Sequence, residues 1–490
     1  MKVRLEQLLS GWFESQSDMD LQIEINNLFI DSRAVLPGSL FVAIKGHQSD
    51  GRRYIEQAII NGAVAVLKES DSKESDGTFE YRQGVLIIDC FQLSYHLAEL
   101  AHGAYPDLPN TIIGVTGTNG KSTVTHLIAS LAIQKRIPSA VMGTLGNGQP
   151  GQLHGALNTT ADILTIYRQL SEFAEQGIEL VAMEVSSHGL DQKRVAGIPF
   201  KAAVFTNLTR DHLDYHGTME AYAQAKAKLF NMTKDGVLIA NFDDPFGVEL
   251  QYRYPKTVGY ALDHKACWQA HSLLMNEQGC DVQISSPLVN HFVRIPLLGR
   301  FNISNVLAAL ACLVELKLLS EGDFALCQNL QSVPGRMELF TDDRYCQVVV
   351  DYAHTPDALA KALQGIREHC SGRLFCIFGC GGDRDKGKRP LMAQAAQDYA
   401  DRVIVTNDNP RTEDPQSIVA DIFKGFENPS EVTVVLERKE ALIQVLRQAN
   451  RNDMVLLAGK GHEDYQIIGH EKRHYDERSV VTQVLTEGVC

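Results

Sequence analysis

Short apolar runs punctuate the chain, each followed by a glycine-bearing or charged stretch and then by a longer mixed segment. Residues 39–44, 63–67, 112–115 and 203–207 read as strands, being rich in β-branched and aromatic residues and bounded by turn formers. Residues 180–189 start apolar and end in Glu-Val-Ser-Ser-His-Gly, which predicts a buried strand that delivers polar groups at its end. Further strands are predicted at 345–351, 374–378, 402–406, 432–436 and 454–458. Helical patterns fall between them, at 54–61, 124–133, 222–230, 306–318 and 357–369. Strand–helix alternation of this kind predicts parallel α/β sheets. In the last third it predicts that the loops 379–390, 407–415 and 459–465 lie along one sheet edge, where ligands gather.

At 490 residues the chain exceeds one core, and three domains are expected, at 1–107, 108–332 and 333–490. A net charge of −14 argues against nucleic acid and anionic membrane as partners, so an anionic substrate would need local Arg and Lys clusters. No run of about 20 apolar residues suggests a membrane span, and the first residues show no signal-peptide pattern, so a cytoplasmic protein is expected. The 10 cysteines follow no repeated spacing; the Cys376/Cys380 pair lacks partners for a zinc site, and reduced, mostly buried thiols are expected.

The densest chemistry begins at residue 111. A strand runs into Gly117-Thr-Asn-Gly-Lys-Ser-Thr123 and then into a helix. Backbone N–H groups at such a helix start, with the Lys121 ammonium, suit a phosphate, and Ser122 or Thr123 suits a magnesium ion. The loop differs from the common phosphate loop, because one extra residue separates Gly114 from Gly120. A buried Glu184 would be costly alone, which leaves a metal or a pair with Arg194 as explanations. His212 and His216 would share a face if helical. The absence of a local His-Glu-x-x-His pattern disfavours a zinc hydrolase. Lys226 and Lys228 differ by about 200° around a helix, so both cannot face one site. Asn302 and Asn305 sit near a helix start, where capping would explain one of them.

The phosphate stretch, Glu184-Val-Ser-Ser-His-Gly189, Asp351-Tyr-Ala-His-Thr-Pro356 and Asp408-Asn-Pro-Arg411, in this order, resemble the Mur ligases, and among them the UDP-N-acetylmuramoyl-tripeptide synthetases. The resemblance runs from Asp31-Ser-Arg33 to Gly459-Lys-Gly-His-Glu-Asp464. It implies a three-domain α/β protein with a central phosphate-loop ATPase-like sheet and a Rossmann-like C-terminal domain. The implied reaction is ATP-dependent addition of meso-diaminopimelate to UDP-N-acetylmuramoyl-L-alanyl-D-glutamate through an acyl phosphate, in peptidoglycan precursor synthesis. The alternatives are the L-lysine-adding relative, a folylpolyglutamate synthetase, or a phosphate-loop switch without ligase chemistry.

The resemblance also implies roles, residue by residue. Ile30, Ser32, His47, Gln48 and Ser49 would take the uridine end of the substrate. Asn158, Thr159, Thr160, Ser186, Gln192 and Arg194 would take its muramoyl-dipeptide end. ATP would contact Gly117, Thr118, Asn119, Gly120, Lys121, Ser122, Thr123, Asn305, Arg336, Asp351 and His354. Mg2+ would be held by Ser122, Glu184, His212 and Lys226, the last as its carbamate, with Lys228 facing away. Lys121, Glu184, His212 and Lys226 would be catalytic. Arg384, Asp408, Asn409, Pro410, Arg411, Gly459 and Glu463 would receive diaminopimelate. A monomer is expected. Ser122 departs from the Thr of many relatives but keeps the hydroxyl.

Overall fold

A computed structural model describes residues 2–12, 19–46, 49–287 and 290–488. His47 and Gln48 therefore lie outside the described residues. The chain forms two compact units: Met1–Lys121 with Ala132–Ile239 and Glu249–Thr257, and Ser122–Leu131 with Ala240–Val248 and Val258–Cys490.

In the first unit, strands β1 (Asn27–Phe29), β2 (Ser39–Ala43), β3 (Ala63–Ser70), β4 (Phe79–Arg82) and β5 (Val85–Phe91) form a sheet of order β1-β2-β3-β5-β4. Only the β4–β5 hairpin is antiparallel. Phe41, Ala43, Val66 and Ile87 pack on Ile55 and Ala58 of helix α1 (Ile55–Ile60), which gives this sheet its own core. Helix α2 (Leu93–Ala104) then leads to β6 (Thr111–Thr116).

From β6 the chain builds a second sheet. Among its strands are β7 (Ser139–Gly143), β8 (Gly146–Gln149), β9 (Gln152–His154), β10 (Leu180–Glu184), β11 (Ala202–Phe205) and β12 (Val237–Asn241), which with β6 run in the order β9-β8-β7-β10-β6-β11-β12. Strands β10 and β11 flank β6 in parallel, with Glu184 beside Val115 and Phe205 beside Thr116. This register brings the segments that follow the three strands to one edge. Helix α3 (Lys121–Gln134) follows β6, and α4 (Ile163–Glu175) precedes β10. Strand β10 ends at Glu184, earlier than its apolar pattern suggests, because Ser186 caps the short helix α5 (Ser187–Asp191) by accepting from the Gly189 N–H. Helices α6 (Leu213–His216) and α7 (Met219–Met232) follow β11. Thr218 caps α7.

The second unit holds the antiparallel hairpins β14 (Trp268–Asn276), β15 (Gly279–Ser285) and β16 (Asn290–Ile295), with β13 (Val258–Ala261) parallel to β14. Helix α8 spans Arg300–Glu315, six residues earlier at its start than its apolar run predicts. Neither Asn302 nor Asn305 caps it. Gly299, at φ +85°, is the N-cap, and Asn302 Nδ2 donates back to the Leu298 carbonyl.

The last sheet contains β17 (Glu338–Phe340), β18 (Gln347–Asp351), β19 (Leu374–Phe378), β20 (Arg402–Val405), β21 (Thr433–Val434) and β22 (Met454–Ala458), in the order β17-β18-β22-β19-β20-β21. All neighbours are parallel except β17 and β18. The expected strand at 432–436 shrinks to the two exposed residues of β21. Leu374, Cys376 and Phe378 join one apolar core while Phe375 and Ile377 join the other, as the two-residue period of a strand covered on both faces requires. Thr355 caps α9 (Pro356–Arg367) and Asp414 caps α11 (Pro415–Phe423), each with proline in the first turn. Between them runs α10 (Lys388–Tyr399), and α12 (Arg438–Gln448) and α13 (Glu477–Glu487) complete the unit.

Candidate active site

The phosphate-type loop has a geometry only glycine supports at two places. Gly117 has φ +153° and Gly120 φ +86°, and a Cβ on Gly117 would collide with Thr206 Oγ1. The loop is sewn to the segment after β11. The Thr118 N–H donates to Asn207 O at 2.8 Å, the Asn119 N–H to Asn207 Oδ1 at 3.0 Å, and Asn207 Nδ2 returns a bond to Asn119 O at 3.0 Å. Lys121 Nζ folds back to the carbonyls of Gly117 and Thr118 at 2.9 and 2.8 Å, holding a cation over the loop.

Glu184 ends β10 buried. Its carboxylate accepts from the Thr144 N–H at 2.9 Å and the Thr144 hydroxyl at 3.2 Å. Gly143 leaves the room, since a Cβ there would strike the Glu184 side chain. Arg194, the alternative partner from the sequence, bonds elsewhere: to Gln192 Oε1 at 3.0 Å and to Thr160 O at 2.8 Å. Thr160 Oγ1 in turn donates to Glu184 O and accepts from the Ser186 N–H, both at 3.0 Å. Thr159, Thr160, Ser186, Gln192 and Arg194 are thereby brought beside the end of β10, and Asn158 is exposed next to them.

His212 and His216 do not share a helical face. His212 sits ahead of α6 with left-handed φ +52°, and its ring lies 4.9 Å from that of His188, which is 5.5 Å from that of His216. Lys226 and Lys228 separate as helix geometry demands. Lys228 is exposed and paired with Asp191 at 2.6 Å. Lys226 is buried, its Nζ 4.2 Å from the centre of the Tyr222 ring. Burial, then the Lys121 charge, push the Lys226 amine well below the usual lysine range, against a smaller opposing pull from Asp211.

Among the described residues no three of His, Cys, Asp and Glu are grouped to hold a metal; the expected set draws only Glu184 and His212 from those types. The donor chemistry nevertheless suits Mg2+. Glu184 offers hard oxygen, and a neutral, buried Lys226 amine can take up carbon dioxide and offer more.

In the first unit, Ile30 is half-buried, Ser32 is buried and Ser49 is exposed with its hydroxyl 3.3 Å from that of Tyr54. In the second unit, Ser122 is buried and Thr123 half-buried in the first turn of α3. Asn305 Nδ2 donates to Asn302 Oδ1 at 3.2 Å. Arg336 lies over the Tyr352 ring at 4.5 Å. Asp351, at the end of β18, accepts from the N–H groups of Met337 and Ala353 at 2.7 and 2.8 Å, and burial raises its pKa. His354 is exposed, its Nδ1 2.8 Å from Tyr352 O.

The loops after β19, β20 and β22 do converge. The Gly382 N–H donates to Asn409 O at 2.9 Å, and Gly382 has no room for a Cβ against Pro410. Arg411, at φ +52°, sends Nη1 to Gly382 O at 2.7 Å. It does not bridge to Asp414, which is spent on capping α11. Arg384 is exposed beside it in the glycine loop. Glu463 Oε2 accepts from Asn409 Nδ2 at 3.3 Å, and Gly459, at φ +110°, donates to Asp351 O at 3.0 Å.

Residues 115–313 match the Mur ligase middle domain, 335–461 the Mur ligase glutamate ligase domain, and 24–105 the Mur ligase family catalytic domain. The chain is 45% identical over 486 residues to the UDP-N-acetylmuramoyl-L-alanyl-D-glutamate--2,6-diaminopimelate ligase of Vibrio cholerae, covering 98% of each. It belongs to the Mur ligase family. A Haemophilus influenzae Mur ligase of the same name is 44% identical over 94% of this chain and 96% of its own. A solved Mur ligase structure, also titled as a UDP-N-acetylmuramoyl-L-alanyl-D-glutamate--2,6-diaminopimelate ligase, superposes over 99% of both chains with a TM-score of 0.72 at 36% identity. Among the described residues no helix is long and apolar enough to cross a membrane.

Several residues that hold these side chains and loops in place were not singled out in the sequence. Thr144 and Gly143 hold and admit Glu184, and Asn207 splints the phosphate loop. Lys460, wholly buried between Asp408 and Glu463, is a fourth. Its two flanking glycines after an apolar run were the available signal; in the structure both take positive φ.

Proposed function

We propose that this protein joins meso-diaminopimelate to the D-glutamyl carboxylate of UDP-N-acetylmuramoyl-L-alanyl-D-glutamate at the expense of ATP. The observation that carries the choice of amino acid is Arg411. Among the described residues its guanidinium has no acid partner, only the carbonyls of Gly382 and Asn409, and it stands in a loop with Asp408 and close to Glu463. That is a site for a carboxylate beside an ammonium, the far end of diaminopimelate, where L-lysine offers an ammonium alone.

A carboxylate is a poor electrophile, so it is first phosphorylated by the γ-phosphoryl group of ATP. The amine then attacks the acyl phosphate and inorganic phosphate leaves. The chain's work is positioning and charge neutralisation. Gly117, Thr118, Asn119, Gly120, Lys121, Ser122 and Thr123 line the phosphates, the Lys121 ammonium supplying the charge, with Asn305, Arg336, Asp351 and His354 as the further nucleotide residues. Asn158, Thr159, Thr160, Ser186, Gln192 and Arg194 orient the acceptor, and Ile30, Ser32 and Ser49, with His47 and Gln48, take the uridine end. Arg384, Asp408, Asn409, Pro410, Arg411, Gly459 and Glu463 orient the amino acid. Ser122, Glu184, His212 and a carbamate on Lys226 would hold Mg2+. When bound, the ion would screen negative charge between nucleotide and acceptor.

The three-domain division at 1–107, 108–332 and 333–490 is part of this reading, supported by family matches that each fall inside one range. A cytoplasmic monomer belongs to it as well.

A ligation assay tests the proposal. Phosphate release from ATP is expected only with both acceptor and amino acid present, and diaminopimelate is expected to outcompete L-lysine about a hundredfold in kcat/KM. Equal use of L-lysine would overturn the choice of amino acid. ATP turnover without either substrate would point to a switch protein.

A further inference from the structure

Lys460 carries an assignment of its own, which rests on the ligase reading above. It follows β22, between Gly459 at φ +110° and Gly461 at φ +51°, and its side chain is 0% exposed. Nζ meets three groups: Asn409 Oδ1 at 2.9 Å, Glu463 Oε2 at 3.0 Å and Asp408 Oδ1 at 3.3 Å. Among the described residues Asp408 Oδ1 makes no hydrogen bond, and this ammonium answers its charge. Asn409 Oδ1 also accepts from the Ile467 N–H at 2.9 Å, and Gln466 Nε2 holds Asp408 O at 2.6 Å. One buried cation thus ties the loop after β20 to the loop after β22.

We propose that Lys460 is a positioning residue for the incoming amino acid. It engages one oxygen of each acid, Oδ1 of Asp408 and Oε2 of Glu463. The other two, Asp408 Oδ2 and Glu463 Oε1, are thereby left for a ligand; among the described residues the latter accepts from the Tyr352 hydroxyl at 3.5 Å. It also reduces the joint charge of the two carboxylates from about −2 to about −1, which matches one ligand ammonium. Without it, two carboxylates held in one buried cluster repel, and their loops lose register.

The test uses the full chain and begins with the wild type, which must add diaminopimelate; if it does not, the ligase reading fails and this proposal with it. In Lys460→Met, KM for diaminopimelate is expected to rise tenfold or more, while KM for ATP and for the UDP-linked acceptor stay within twofold. In Lys460→Ala, ethylammonium chloride is expected to lower the diaminopimelate KM at least threefold, and tetramethylammonium chloride, which has no N–H to donate, is expected not to. Lys460→Gln, which keeps a donor and loses the charge, serves the same comparison if the other two are insoluble. An unchanged diaminopimelate KM in a folded variant, an equal rise in all three KM values, or loss of cooperative unfolding in all three variants overturns the proposal while leaving the ligase reading intact.

Discussion

Lys226 is the residue whose chemistry is most constrained by its surroundings. Its Nζ faces the Tyr222 ring, and burial with the nearby Lys121 charge favours the neutral amine. A neutral amine has the lone pair needed to add carbon dioxide, and the carbamate formed is an anionic oxygen donor. Lys226→Ala is expected to be nearly inactive and to recover partly with formate or acetate; intact mass of the metal-loaded protein is expected to show added carbon dioxide. An unmodified amine in fully active protein would remove the idea. None of this was legible from periodicity, which showed only that Lys226 and Lys228 cannot face the same way. The family resemblance chose Lys226, and in the structure Lys226 is buried while Lys228 is exposed and ion-paired. Arg411 stood out in the sequence as a guanidinium beside acids in an Asp-Asn-Pro-Arg turn. Arg411→Ala is expected to raise KM for diaminopimelate at least tenfold, about 1.4 kcal/mol, with KM for ATP little changed; equal changes in both would count against the assignment.

Elements deliver these residues through strand ends. Strands β6, β10 and β11 were readable because each is an apolar run stopped by polar residues, although β10 stops at Glu184 sooner than its pattern suggests; the parallel register aligns their ends. What stayed hidden was the fit between elements. Gly143 looks like any glycine after a strand, yet the Glu184 side chain occupies the space of its missing Cβ. Gly143→Ala is expected to displace that carboxylate and cut kcat at least tenfold with the fold retained, as magnesium titration and circular dichroism would show. A variant with wild-type magnesium dependence would mean that Glu184 is held by Thr144 alone. The start of α8 was missed for a related reason. Its first turn is set by the positive φ of Gly299 and not by an asparagine side chain, and single-sequence capping rules read side chains.

At the scale of the whole molecule, the architecture was legible because strand–helix alternation and both-face burial leave few choices of sheet. The response to acid was not, since two histidines that the sequence leaves unremarkable contribute to it. His126 in α3 and His462 after β22 are both held at a pKa of about 4 by burial first and by the Arg336 charge second. Their ordinary value is 6.5. Between those limits the unfolded chain binds a proton at each ring that the folded chain does not, so stability falls as pH falls. The effect is absent well above pH 6.5 and complete below about pH 4. At pH 5 it amounts to about 2 kcal/mol per ring relative to pH 7. Acidic side chains add their own slope, so the two rings must be separated from them. The double variant His126→Leu, His462→Phe is therefore expected to lose less stability than the wild type between pH 7 and pH 5 in denaturant unfolding. The apolar ring at 462 keeps the packing on Tyr352, whose ring centre is 5.1 Å from that of His462. If wild type and double variant lose the same stability over that interval, buried neutral histidines are not what makes the fold acid-sensitive.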